Sequence, residues 1–126
     1  MEGIVTGSID YTTFSENNAT KINVLGTEYL IFKGISAEEN EYLKDCDGYC
    51  DFYARKIVLG NFTKENGYEH GDLEYYERKV LRHEIIHAFL HESGLHDLAI
   101  DEKIVEWIAI QFPKINQMFE ELEIQK

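Results

Sequence analysis

The stretch DLEYYERKVLRHEIIHAFLHESG, residues 72–94, decides the fold. Leu73, Tyr76, Val80, His83, His87 and Leu90 recur at intervals of three and four, the period of an amphipathic helix. Asp72 is placed to cap its first turn and Gly94 to end it, which predicts one helix of about twenty residues. Within it, His83, Glu84 and His87 spell His-Glu-x-x-His. At about 100° per residue, positions four apart differ by only about 40° around the axis, so both imidazoles project from one face and can bind a single ion. Glu84 lies about 100° from His83 and about 60° from His87, within reach of a water on that ion without being a ligand itself. The competing reading makes His83 and His87 hydrogen-bonded core residues and Glu84 half of a surface ion pair with Arg82 or a neighbour.

Upstream of this helix the period is that of strands. Ile22, Val24 and Leu25, then Tyr29 to Phe32, flank Gly26 and Thr27 and read as a hairpin. A third run, Lys56 to Leu59, closes at Gly60 and Asn61. Ser36 to Asp51 reads as a weakly helical part, Ala37 to Leu43, followed by a turn at Asp47 and Gly48. Downstream, a second helix is expected through Leu98, Val105, Ile108, Ala109 and Phe112 until Pro113, with Asp97 or Asp101 as its cap. Ile115, Met118, Phe119 and Leu122 suggest a short terminal helix. Strands first and helices after predict an α+β class: a small, mainly antiparallel three-stranded sheet packed on the His-Glu-x-x-His helix, followed by a second helix and a short C-terminal one. Residues 1–20, rich in Thr, Ser, Asn and Gly, read as a loose leader to a single domain over 21–126.

Composition narrows the partners. The chain has 126 residues, 44% of them hydrophobic, with 12 basic against 24 acidic residues and a net charge of -12. The acidity is even, with 6 basic and 12 acidic residues both before and after position 70. Such a field repels phosphate backbones and anionic lipid, so no direct nucleic-acid or membrane partner is expected, and a neutral or basic peptide remains open. No apolar run suits a membrane span or a signal peptide, which makes a cytoplasmic address the default. Two cysteines, Cys46 and Cys50, read as reduced thiols in a turn; a redox pair or second metal site is the weaker alternative.

A catalytic zinc normally takes three protein ligands and keeps one open position. The pattern that places a glycine and a third histidine on the same segment fails, because Leu90 and Ser93 occupy those positions. A glutamate from a following antiparallel helix is the remaining common solution. Glu102 comes after 14 intervening residues and Glu106 one turn later, on a face expected to include Leu98, Val105 and Ala109. Carboxylates in an apolar stripe are costly unless charge meets them. Glu102 is assigned as the ligand and Glu106 as the acceptor that orients a zinc-bound imidazole; the swapped assignment, or two carboxylates facing solvent, stays open. His91 continues the line of His83 and His87 as a pocket or outer residue rather than a ligand. His70 and His96 carry no comparable argument.

The run from His83 to His91, followed by Glu102-Lys103-Ile104-Val105-Glu106-Trp107-Ile108-Ala109, resembles the minimal zincins of the ImmA/IrrE type found in phages and mobile elements. Those pair His-Glu-x-x-His, often with a further Leu-His, to Glu-x-x-Ala-Asn-x-Phe-Ala; Val105, Glu106 and Ile108 depart from the commoner Ala, Asn and Phe. The resemblance covers about 30 residues. It implies a zinc-dependent peptidase with Glu84 as general base, a small sheet beside the active-site helix, and a protein or peptide substrate, with a DNA-binding regulator as one candidate. The alternative is a non-catalytic zinc-binding phage or mobile-element protein that acts in binding or morphogenesis.

Overall fold

The structure, a computed structural model, describes residues 3–5, 9–68 and 71–126. The expected hairpin is present. Strand β2 (Thr20–Val24) turns on Leu25 and Gly26 into β3 (Thr27–Ile35), with Thr20 opposite Ile31 and Val24 opposite Thr27. Both turn residues have positive φ, 51° and 96°, as a two-residue turn matched to the twist of its strands requires. Asn23 Oδ1 accepts from the Gly26 amide at 2.7 Å and fixes the turn.

The class is α+β, but the sheet is larger than three strands and mixed. Its order is β1-β4-β5-β3-β2, with β1 (Gly3–Ile4), β4 (Gly48–Asp51) and β5 (Lys56–Gly60). β4 and β5 form an antiparallel hairpin in which Asp51 Oδ1 accepts from the amides of Tyr53 and Ala54. Because β4 intervenes, the chain re-enters beside β3 in the same direction, and the β3–β5 and β1–β4 pairings are parallel. The segment expected to turn at Asp47 and Gly48 therefore contains a strand. Its helical part is a single 3-10 turn at Glu41–Lys44, capped by Asn40.

Alternation along the strands divides the core between the two faces of the sheet. Tyr29, Ile31, Ile57 and Leu59 pack with residues of the helices, including Val80, Ala88 and Val105. Phe32, Tyr49 and Val58 face the opposite side with Val5, Phe14 and Leu43. Two residues of the stretch read as a leader, Val5 and Phe14, are thus buried in the core, while residues 1–2 and 6–8 lie outside the described residues.

Helix α1 (Leu73–Glu92) begins where Asp72 Oδ1 accepts from the Tyr75 amide. It ends at Gly94, φ 87°, where the Leu95 amide returns to Leu90 O and the Gly94 amide to His91 O. That is the paired bonding of a left-handed helix stop. The far end of α1 is tied to β3: Thr27 Oγ1 and Tyr29 Oη donate to Glu92 at 2.8 and 2.7 Å. Burial works to raise the Glu92 carboxyl, but these two bonds outweigh it and hold it below its ordinary value.

The remaining helices differ from expectation. Leu98 belongs to the short α2 (His96–Ala99), not to the helix that carries Glu102. Helix α3 (Glu102–Glu121) runs unbroken through Pro113, so the expected break and separate terminal helix merge into one element. Asp101 starts it by accepting from the amides of Lys103 and Ile104 at 3.0 and 3.2 Å. Pro113 removes the one amide that would bond Ala109 O. Eleven residues precede it in the helix, and Val105 and Ala109 among them are buried, so packing holds the helix across the missing bond.

Gly48 locates the seam between sheet and α1. A Cβ there would stand 2.9 Å from Leu59 Cδ2, 3.0 Å from Val80 Cγ1 and 3.1 Å from Val58 O. Gly48→Ala is expected to destabilise the fold by about 1–3 kcal/mol, since the carbonyl cannot yield as a side chain could. Chemical denaturation measures this, and an unchanged midpoint would contradict the close packing of α1 on β4.

Candidate metal centre

The pitch of α1 sets His83 and His87 side by side, and both are buried, at 2% and 1% exposure. Their Nε2 atoms lie 3.2 Å apart. Helix α3, packed antiparallel, brings in Glu102: its Oε2 is 3.1 Å from His83 Nε2 and its Oε1 2.8 Å from His87 Nε2. Among the described residues, His83, His87 and Glu102 form the one group whose donor atoms converge so as to hold a metal ion. Ligands about 2.0–2.1 Å from a tetrahedral ion stand about 3.3 Å from one another, so these separations match the edges of a coordination shell.

The opposite ring nitrogens explain why the Nε2 atoms are suited to a cation. His87 Nδ1 lies 2.5 Å from the carbonyl oxygen of Ala99, which can only accept, so Nδ1 carries the proton. His83 Nδ1 lies 3.3 Å from Glu106 Oε1, again an acceptor. In neutral imidazoles both Nε2 lone pairs then point at the same place as a carboxylate. Three electron-rich donors so close repel one another unless positive charge sits among them.

Glu102 supplies the anionic donor. Burial works to raise its carboxyl, but its contacts with the His83 and His87 rings outweigh this and lower it to about 2. Glu106, one turn on, reaches the outer nitrogen of His83. The geometry thus sets Glu102 among the three converging donors and Glu106 beside the outer ring nitrogen of His83.

Glu84 is fully buried, unlike the surface partner of Arg82 that the competing reading requires. It lies on the sheet side of α1, within electrostatic reach of Cys50 on β4, where burial first and the Glu84 charge second raise the thiol well above its usual range. Cys46 and Cys50 are both buried and in no disulfide among the described residues, and a thiol held neutral as that of Cys50 is makes a poor redox nucleophile. His91 stands outside the group. Its ring stacks on Phe52 at 4.3 Å and its Nδ1 lies 3.1 Å from His96 Nδ1. Phe52 also meets the edge of His87, at 6.4 Å, so that ring lies against both histidines. His70 lies outside the described residues.

An open groove of about 490 Å³ runs from the metal-ligating group along α3, past Lys103, Glu106, Trp107 and Ile110. Trp107 and Ile110 are 59% and 41% exposed. Sequence reasoning did not single them out. Their signal is a second apolar line, Ile104, Trp107 and Ile110, at three-residue spacing beside the buried Val105 and Ala109. The Ala99 carbonyl was equally missed, and as a main-chain atom it leaves no mark in residue identity.

Comparison of the chain with family models, with curated proteins and with solved structures finds no match in any of the three.

Proposed function

We propose that this protein is a zinc-dependent peptidase. The observation that carries the reading is the convergence of His83 Nε2, His87 Nε2 and an ionised Glu102 carboxylate, with both Nδ1 atoms held by acceptors. Two imidazoles and one carboxylate are the donor set of catalytic zinc sites with one position left open. The resemblance of His83–His91 and Glu102–Ala109 to minimal zincins supports the same assignment.

When bound, zinc supplies a Lewis acid that polarises a carbonyl and brings the pKa of its water toward neutrality. The chain's own residues do the rest. As imidazole donors His83 and His87 would leave a bound zinc its positive charge, which Glu102 would lower without cancelling. Glu106 and the Ala99 carbonyl fix the two rings, so the donors are placed before the ion arrives. Glu84 accepts a proton from the attacking water at its carboxylate oxygen and passes it to the departing amine nitrogen. The groove beside Trp107 holds the peptide.

A second reading, a metal-binding protein without turnover, draws support from one observation. Glu84 has no exposed surface, whereas the side chains of Glu102 and Glu106 are 36% and 40% exposed along the groove. The test is elemental analysis of the purified chain together with hydrolysis of a quenched-fluorescent peptide library. One zinc per chain, with hydrolysis abolished by a chelator and restored by zinc, is expected. Bound zinc without hydrolysis favours the second reading, and absence of zinc uptake overturns both.

A further inference from the structure

Helix α1 descends toward its N-terminus as α3 ascends, so the groove continues from the metal-ligating group into a second cavity of about 370 Å³ that shares Glu106 and Ile110 with the first. Lys79 and Arg82 of α1 and Lys114 of α3 border it. In a chain with only 12 basic residues against 24 acidic ones, three converge here. The one carboxylate on its wall, Glu106, is turned to His83 Nδ1. None of the three cations forms an ion pair with another described residue. Arg82 Nε is buried and has no hydrogen-bond partner among the described residues, so the guanidinium that borders the cavity is not committed there to a protein acceptor.

We propose that this basic cavity binds a carboxylate of the substrate, so that the peptide accepted carries an acidic group close to the bond presented to the metal. Lys79 precedes His83 by four residues and Ile110 follows Glu102 by eight, about 6 and 12 Å of helix. An extended peptide covers that in about two to four residues. Arg82 and the two lysines hold the carboxylate, while Trp107 and Ile110 take apolar side chains between it and the ion. The overall charge of -12 does not forbid this. At about 0.1 M salt, charges beyond about 10 Å are screened, whereas hydrogen-bonded contacts in a half-enclosed cavity are not. The substrate's acidity thus follows from the local cluster and reverses the neutral-or-basic expectation drawn from net charge. The word substrate rests on the peptidase reading; the carboxylate site does not.

Trp107 is the single tryptophan of the chain and lines the groove, so its fluorescence reports occupancy without turnover. The probes are acetyl-Leu-Ala-Ala-Ala-amide, the same peptide with Glu as its last residue, and the same peptide ending in a free carboxylate. Each is titrated against the full chain in zinc and in chelator. One or both acidic probes are expected to bind about fivefold more tightly than the neutral one, and the tighter of the two identifies a side chain or a chain end as the source. In the double variant Arg82→Gln, Lys114→Gln the ratio is expected to fall to about 1, and Arg82→Lys to retain part of it, with circular dichroism confirming the fold. Equal binding of all probes, no quenching by any of them, or a preference that survives the double variant overturns the proposal. A preference seen in chelator beside a chain that hydrolyses nothing in zinc leaves the carboxylate site standing and removes the peptidase reading. Hydrolysis that is indifferent to acidic groups does the reverse.

Discussion

Glu84→Gln is expected to leave zinc uptake intact and to cut peptide hydrolysis by about 10²–10⁴-fold, the range that a positioned proton acceptor contributes. The amide fills the same space but cannot take a proton, so the variant separates chemistry from architecture. Retention of zinc follows because Glu84 is not among the converging donors, which are His83, His87 and Glu102. Stability is expected to hold as well, since a neutral amide is cheaper to bury than a carboxylate at a position with no exposed surface. Elemental analysis and the rate on the best library peptide decide the matter. Unchanged hydrolysis would remove Glu84 from the mechanism. Loss of zinc would make it a support of the site, turned toward the sheet for that purpose.

The centre was legible in the sequence to the extent that helical geometry alone creates it. Four-residue spacing places His83 and His87 on one face whatever surrounds them, and an antiparallel return puts Glu102 opposite. Glu106 followed because one turn of helix carries it past the same ring. The Ala99 carbonyl was invisible because any residue at that position offers the same atom. Strand β4 was obscured for a different reason: Gly48, Tyr49, Cys50 and Asp51 are all buried, so the alternation that marks a half-exposed strand is absent, and Asp47-Gly48 carries the chemistry of a turn. The parallel pairing of β3 with β5 depends on β4 lying between them in the chain, so missing β4 made the sheet look antiparallel. Pro113 was read by its local rule, which counts one lost bond and ignores the buried Val105 and Ala109 that hold the preceding turns. The basic cavity escaped because Lys79, Arg82 and Lys114 are drawn from two helices, and a net charge sums over a surface that the fold divides.

His87→Ala and Glu102→Gln are each expected to abolish stoichiometric zinc, by distinguishable routes. Removing a direct ligand should weaken binding well beyond the ~10–100-fold that loss of a supporting partner costs. Zinc at about 100 times its Kd stabilises the wild-type fold by about 2.7 kcal/mol, an increment that should vanish in both variants. His87 is 1% exposed and its Nδ1 proton serves the Ala99 carbonyl. His87→Ala therefore also leaves a buried acceptor without its donor, at a further cost of about 1–3 kcal/mol even in the absence of metal. The Glu102 side chain is 36% exposed and can become an amide with little loss of packing. Thermal melts with and without zinc separate these contributions: His87→Ala should melt below the metal-free wild type, Glu102→Gln close to it, and neither should respond to zinc. A zinc-dependent rise in melting temperature that survives Glu102→Gln would transfer the third ligand to Glu106, the other α3 carboxylate at the His83 ring, whose Oε1 lies 3.3 Å from Nδ1.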